Sequence, residues 1–336
     1  MIKIVLLIVS LLTQLSADAP TWFGTLPAGT TYEIIGYGEG ITLDEAKMNA
    51  KSDIAKTIST HIDSISTTQT SVNNMTLDHN ASQSVRETSN LTITDAELIK
   101  GEPKDGRFYV ALRYENLPLS SKLAKRGGQL LCGQPNVYLS QTSTILALSS
   151  DLNCSVSVDI TRENDGWYLG RGEHRNSMNN TDFHEFMIET STGTLRLKSN
   201  RTLVNEDEAY ALNLEGLPTS GYLSLFDVYD DGRVVLMENN IDLARKSKKA
   251  FLYPDDIRKD LELSGGVSEA GRDAVDLYVV LISNEPLKLS SFIPMGQNVE
   301  KGERAFAIDR LLSLMQNNPF ATTVVTTRAT KVSSKF

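Results

Sequence analysis

The chain has 336 residues, 40% of them hydrophobic and 22% charged, with a formal net charge of −9 at pH 7. That balance is what a folded protein carries, and its acidity argues against nucleic acid or anionic lipid as the main partner. The length exceeds what one core usually organises, so two or three domains are expected.

Lys3, the run Ile4–Leu12 (apolar except for Ser10) and the small-residue end Leu15-Ser16-Ala17 follow the charged, apolar, small order of a secretory signal. A signal peptide is therefore predicted over residues 1–17, cut after Ala17, because Pro20 disfavours a cut after Ala19. The apolar run is about half of the ~20 residues a spanning helix needs, and no other segment approaches that length, so no transmembrane segment is expected in the mature chain. The leader carries no cysteine for lipidation. Export places the two cysteines, Cys132 and Cys154, in an oxidising compartment, where an isolated pair is most simply a disulfide; the alternative is two buried thiols.

Pro20 to Pro27, with Trp22 and Phe23, reads as a short apolar edge against the first domain. Tyr32 to Gly38 reads as a strand running into a glycine-rich turn. Thr42-Leu43-Asp44-Glu45 matches a capping box. Behind it Ala46, Ala50, Ile54, Ile58 and Ile62 recur every fourth residue, which predicts an amphipathic helix of roughly 24 residues. Residues 66–90 are rich in Ser, Thr, Asn and Gln and fit either a mobile excursion or long polar strands. A strand over 91–99, a turn at Lys104-Asp105-Gly106 and a return strand over Phe108–Tyr114 complete a small β-α-β-β domain. The domain boundary is expected within 116–128.

Downstream, strands are expected over Cys154–Ile160, Trp167–Gly170, Phe183–Glu189, Thr194–Leu197, Glu208–Leu214, Tyr222–Tyr229 and Val234–Met237, with Asp230-Asp231-Gly232 as a tight turn. Asp276–Ile282 is a continuous apolar run that belongs mid-sheet, covered on both faces. Ala305, Ile308, Leu312 and Met315 predict a helix stopped by Pro319, followed by a β-prone polar tail over Ala321–Val332. The fold class is α+β: a small β-α-β-β domain followed by an antiparallel β-sandwich.

Pro20-Thr21-Trp22, Gly36-Tyr37-Gly38, the alanine-spaced helix and the closing hairpin to Tyr114 resemble the LPP-twenty-like family of bacterial envelope lipoproteins. That resemblance implies an accessory role at the envelope, including flagellar outer-membrane and basal-body structures. The same fold resembles part of a flagellar H-ring protein. The chain departs from the family in lacking its lipidated cysteine, so the resemblance does not extend to membrane anchoring. Gly221-Tyr222-Leu223, Asp231-Gly232-Arg233-Val234, Asn239-Asn240 and the stretch from Asp276 to Leu287 are similar to an uncharacterised domain family, DUF forty-three eighty-four. This second resemblance implies a β-sandwich and brings no activity. The expected layout is a leader over 1–17, an LPP-twenty-like domain over 18–118, a disulfide-containing β-rich connection over 119–189, a sandwich over 190–290, and a helix and tail over 291–336.

No catalytic, cofactor or metal residue is nominated. Gly36-x-Gly38-x-Gly40 lacks the dinucleotide spacing and is flanked by Glu39, Asp44 and Glu45, so the glycines read as backbone freedom in a tight turn. Asp227, Asp230 and Asp231 lack the alternating ligands and distant glutamate of a calcium loop. His184-Glu185 begins a zinc motif, but Ile188 stands where the second histidine belongs, and His174 is too far for a local motif. No G-x-S-x-G elbow is present. Asn80 and Asn153 sit in acidic glycosylation sequons, Asn80 the more accessible. The basic clusters at Lys122/Lys125/Arg126 and Arg245/Lys246/Lys248/Lys249 read as solvated faces.

The expected function is a periplasmic, non-enzymatic accessory or scaffold protein whose partners are envelope or flagellar assembly proteins. The alternative is a peptidoglycan- or polysaccharide-binding module using Trp167, Tyr168 and Tyr138. An enzyme would need a cleft with convergent polar groups, and nothing in the sequence points to one.

Overall fold

The computed structural model describes residues 19–30, 32–69, 96–163, 166–178, 180–246, 249–268, 271–296 and 306–330. The leader, Asn80 and most of the polar stretch over 66–90 lie outside the described residues. The chain is α+β and divides between Leu117 and Pro118 into two units.

In the first unit, β1 (Glu33–Gly40) leads into α1 (Leu43–Gln69), followed by β2 (Glu97–Lys104) and β3 (Arg107–Glu115), with sheet order β1-β3-β2 and all pairs antiparallel. The capping box forms: Thr42 Oγ1 accepts from the Glu45 amide at 3.1 Å, while Glu45 accepts from the Ile41 amide at 2.7 Å, one residue before the cap. The β2–β3 turn places Asp105 and Gly106 at φ 51° and 78°, the two positive angles of a type I′ hairpin.

Gly36, Gly38 and Gly40 are strand residues of β1, which corrects the turn expected there. Their role is close approach. A Cβ on Gly36 would lie 2.3 Å from the Ala50 carbonyl oxygen, and one on Gly38 would lie 2.1 Å from that of Ala46. Small residues on both elements bring helix backbone onto strand backbone. Ala46, Ala50, Ile54 and Ile58 then pack on Val110, Leu112 and Tyr114. The opposite sheet face is closed by Trp22, Phe23 and Leu26, with Phe23 edge-on to Tyr37 and Tyr109 at 5.5 and 5.2 Å.

The second unit begins with α2 (Leu119–Gly127), 3-10 turns over Gly128–Leu131 and Leu139–Gln141, and α3 (Ser143–Leu152). A linker and β-rich connection were expected over this stretch. Instead Leu119, Leu123 and Leu131 reach the core, and Gly127 lets Leu131 fold back against α2, its Cβ position only 2.6 Å from Leu131 Cγ. The Cys132–Cys154 disulfide is formed, with Cα atoms 5.8 Å apart, and ties the segment after α2 to the end of α3. A three-stranded meander follows: β4 (Asp159–Glu163), β5 (Gly166–Arg171) and β6 (His174–Met178). The strand expected over Phe183–Glu189 is replaced by the short helix α4 (Asn180–His184) and a turn, whose Phe183 and Phe186 both face inward; Phe183 stacks on Trp167 at 5.0 Å.

The remaining strands are β7 (Arg196–Ser199), β8 (Leu203–Asn205), β9 (Ala209–Tyr210), β10 (Leu212–Glu215), β11 (Tyr222–Val228), β12 (Val234–Asp242), β13 (Phe251–Tyr253), β14 (Leu263–Ser264), β15 (Ala274–Ser283) and β16 (Ile293–Pro294). After them come α5 (Ile308–Asn317) and β17 (Phe320–Arg328). Six strands form the main sheet in the order β16-β12-β11-β15-β17-β8, antiparallel except at the two outer pairs. All ten residues of β15 are buried. Val275, Leu277, Val279 and Leu281 enter one core with the helices and the β4–β6 meander, while Tyr278, Val280 and Ile282 enter another with the small sheet β13-β10-β7.

Residues 119–189 and the terminal helix and strand thus share cores with the strands expected to form a separate sandwich. The boundaries expected at 189/190 and 290/291 are not boundaries, and the stretch read as a polar tail is an inner strand. The reason is in β17 itself: Phe320, Ala321 and Val325 are fully buried, and its threonines supply hydrogen bonds to the 188–192 segment as well as the ladder. Among the described residues no helix is long and apolar enough to cross a membrane.

Gly38→Ala should lower the stability of the first unit by about 3 kcal/mol, since the helix must lift off the strand; chemical denaturation measures it. Denaturing the protein with and without reductant should show a loss of about 3 kcal/mol for the second unit when the Cys132–Cys154 bond is opened.

Candidate functional site

At the β11–β12 turn the second unit contains a cleft of 590 Å³. Strands set its polar wall: Asp227 from β11, Asp276 and Tyr278 from β15, and Tyr210 from β9. The turn adds Tyr229, Asp230 and Arg233, and the segment 262–268 adds Glu262 and Ser268; Val235, Met237, Leu263 and Met295 supply apolar surface.

The register puts Asp227 opposite Tyr278. Tyr278 donates to the Asp227 carboxylate, and the Tyr210 and Tyr278 hydroxyls hydrogen-bond to each other, so Tyr210, Tyr278 and Asp227 form a relay. Asp227 is only 6% exposed, and its Oδ1 has no hydrogen-bond partner. Asp230, also buried, accepts from Ser268 Oγ at 3.0 Å. Arg233 turns to Asp231, at 2.6 Å, and its guanidinium lies 5.2 Å from the Tyr229 ring centre.

Burial dominates the electrostatics. It pushes the Asp227 carboxyl up to about 8 against the opposing Tyr278 hydrogen bond. Asp276 is raised well above the usual carboxylate range by burial first, then by the charges of Asp227, Asp230 and Asp231. Asp230 is raised by burial, with its Ser268 bond and the nearby His184 and Arg272 pulling the other way. The phenols of Tyr210, Tyr229 and Tyr278 are raised too, burial first and Asp227 next, so they remain protonated donors. Two carboxyls this close in a poorly solvated wall oppose each other's ionisation. Strongly perturbed acids in a cleft are what binding and catalytic sites display.

The residue pattern carries no local signature of this cleft. Asp230-Asp231-Gly232 forms the expected hairpin turn, closed by the Gly232 amide donating to the Tyr229 carbonyl at 2.8 Å. Gly232 has φ 79° and sits beneath Trp167, where a Cβ would come within 2.2 Å of the ring. Asp276 was absorbed into an apolar run. The available signal was an acid at each of two positions inside otherwise apolar, sheet-interior strands.

Of the remaining candidates, His184 comes near the cleft, within electrostatic reach of Asp230. His184 ends α4 and His174 starts β6. Among the described residues no three His, Cys, Asp or Glu side chains are grouped to hold a metal ion. Asn153 is the left-handed cap of α3. Tyr138 and Trp167 are 2% and 6% exposed, the first donating to the Phe186 carbonyl and the second to that of Asp231, so with Tyr168 they make no sugar-binding platform. Arg126 donates to the Arg175 carbonyl and to Asn176. No family model, curated protein or solved structure matches the chain.

An unfolded aspartate releases its proton near 3.9, whereas folded Asp227 keeps it to about 8. The native state therefore binds more protons between those limits, and stability, full below about pH 4, falls as pH rises towards 8. Asp227→Asn should flatten that decline and raise the melting temperature at pH 8 relative to the parent. Thermal melts at pH 5 and 8 test this, and an unchanged slope would mean that the carboxyl is solvated.

Proposed function

We propose that the protein is an exported, non-enzymatic accessory or scaffold component of a bacterial envelope assembly, acting in the periplasm, with a flagellar basal-body or outer-membrane ring as the specific setting. The observation that carries this reading is the outer edge of β2. On the other side of the sheet α1 covers β1: Asp53 accepts from the Tyr37 amide at 3.0 Å, and Asn49 donates to the Glu39 carbonyl at 2.7 Å. Among the described residues β2 pairs only with β3, and its first five residues are exposed, Leu98 and Ile99 by 44% and 36%. Pro103 and the irregular register around Ile99 restrict pairing along this edge. What remains is a short template to which a partner segment can add a strand.

The disulfide agrees with an oxidising compartment, as does the leader-like start of the sequence. The envelope setting rests on the likeness of Trp22, the β1 glycines and the alanine-spaced helix to the LPP-twenty-like pattern, and is an argument from family resemblance. A polysaccharide-binding role is not supported by Tyr138 and Trp167, whose rings are buried in the second unit's core.

In-cell crosslinking followed by mass spectrometry should capture envelope or flagellar assembly proteins, and Leu98→Lys with Ile99→Lys should abolish that capture without changing the melting temperature. A chain found in the cytosol with Met1 retained and both thiols reduced would overturn the reading. A deletion strain with normal motility and intact basal-body rings would remove its flagellar form.

A further inference from the structure

The acid-lined cleft is not needed for display of a strand edge, and its chemistry points to a ligand. Four carboxyl groups line it: Asp227, Asp230, Asp276 and Glu262. The lining cation, Arg233, is engaged with Asp231. His184 and Arg272 act on Asp230 from outside the lining and pull against its burial. The wall is therefore rich in acids: burial and mutual repulsion keep Asp227 and Asp276 protonated, and a cation placed against them would favour their ionisation and release protons. The second observation is independent of that count: Asp227, 94% removed from solvent by its 6% exposure, keeps one carboxyl oxygen without any hydrogen-bond donor. A buried acceptor left so is costly unless something supplies a donor.

Three features select the donor. No three acidic or imidazole side chains among the described residues are grouped as metal ligands. The cleft measures 590 Å³, far more than an ion fills and within the range of small-molecule sites. Tyrosine rings stand among the acids, and aromatic faces attract organic cations. The exposed Glu262 places a carboxyl at the mouth, and the buried acids place ionisable carboxyls deep in the cleft, where an ammonium group would draw off their protons.

We propose that this cleft binds a small aliphatic amine, a diamine or polyamine, with one ammonium group donating to Asp227 and Asp276 and a second facing Glu262. The Tyr210–Tyr278 relay holds Asp227 in place, and the apolar surface of Val235, Met237 and Met295 receives the methylene chain.

The full chain is titrated calorimetrically with 1,4-diaminobutane, 1,5-diaminopentane and spermidine, and in parallel with 1,5-pentanediol and calcium chloride. Saturable amine binding is expected, with no heat from the diol. Asp227→Asn should weaken it about tenfold or more, because an amide, unlike the carboxyl, cannot ionise opposite the bound ammonium. Because Asp227 is buried, the exposed Glu262→Gln serves as the second variant; it leaves folding untouched and should weaken diamines more than a monoamine of equal length. Binding of calcium without amines, equal binding of the diol, or amine affinity unchanged in both variants would each overturn the proposal. None of these outcomes bears on the envelope reading, which is decided by the cellular experiments.

Discussion

Strand β15 is hydrogen-bonded on both sides, to β11 and β17, and covered on both faces. Its residues alternate between two cores, so each side chain has one permitted direction and the register of the six-stranded sheet is fixed by it. Helices and the β4–β6 meander must fill one face; the β13-β10-β7 sheet must fill the other. A polar residue in such a strand has no route to bulk water except through a deliberate opening. Asp276 is that case. The cleft beside it is lined by the β11–β12 turn and the 262–268 segment.

The first unit depends on a different constraint, backbone approach. Glycines on β1 face alanines on α1 at distances that leave no room for a methyl group. The same closeness lets Asp53 and Asn49 reach the outer backbone of β1 and satisfy it. The helix that closes one edge of a three-stranded sheet lies chiefly over β1 and β3, which leaves β2 exposed. Among the described residues, packing on one side of the sheet thereby leaves the outer edge of β2 uncovered on the other.

Much of this was legible in the residues. The capping box, the four-residue spacing from Ala46 to Ile58, the Asp105-Gly106 turn and the paired cysteines are local signals, and each forms. Two kinds of feature were not legible. The 119–152 helices were hidden because Pro118, Gly127 and Gly128 resemble a linker, although Leu119, Leu123 and Leu131 carry the helical burial. Long-range placement was hidden as well: the threonines of β17 look like an exposed tail until their partners at 188–192 and on β15 are known. The cleft failed to register for the same reason, since Tyr210, Asp227 and Asp276 are distant in sequence and meet only through strand order.

The position of β17 has a consequence for biogenesis. Residues 326–328 pair in parallel with residues 203–205, while residues 320–327 pair with β15. A nascent chain halted anywhere before residue 320 holds β15 with one flank bare and β8 without its ladder partner. The sheet therefore cannot close progressively as synthesis proceeds, and assembly waits on a segment made more than a hundred residues after its first partner. A polypeptide wired in this way completes the second unit's main sheet only when β17 is present, whereas the first unit draws on no residue beyond 117 for its own sheet.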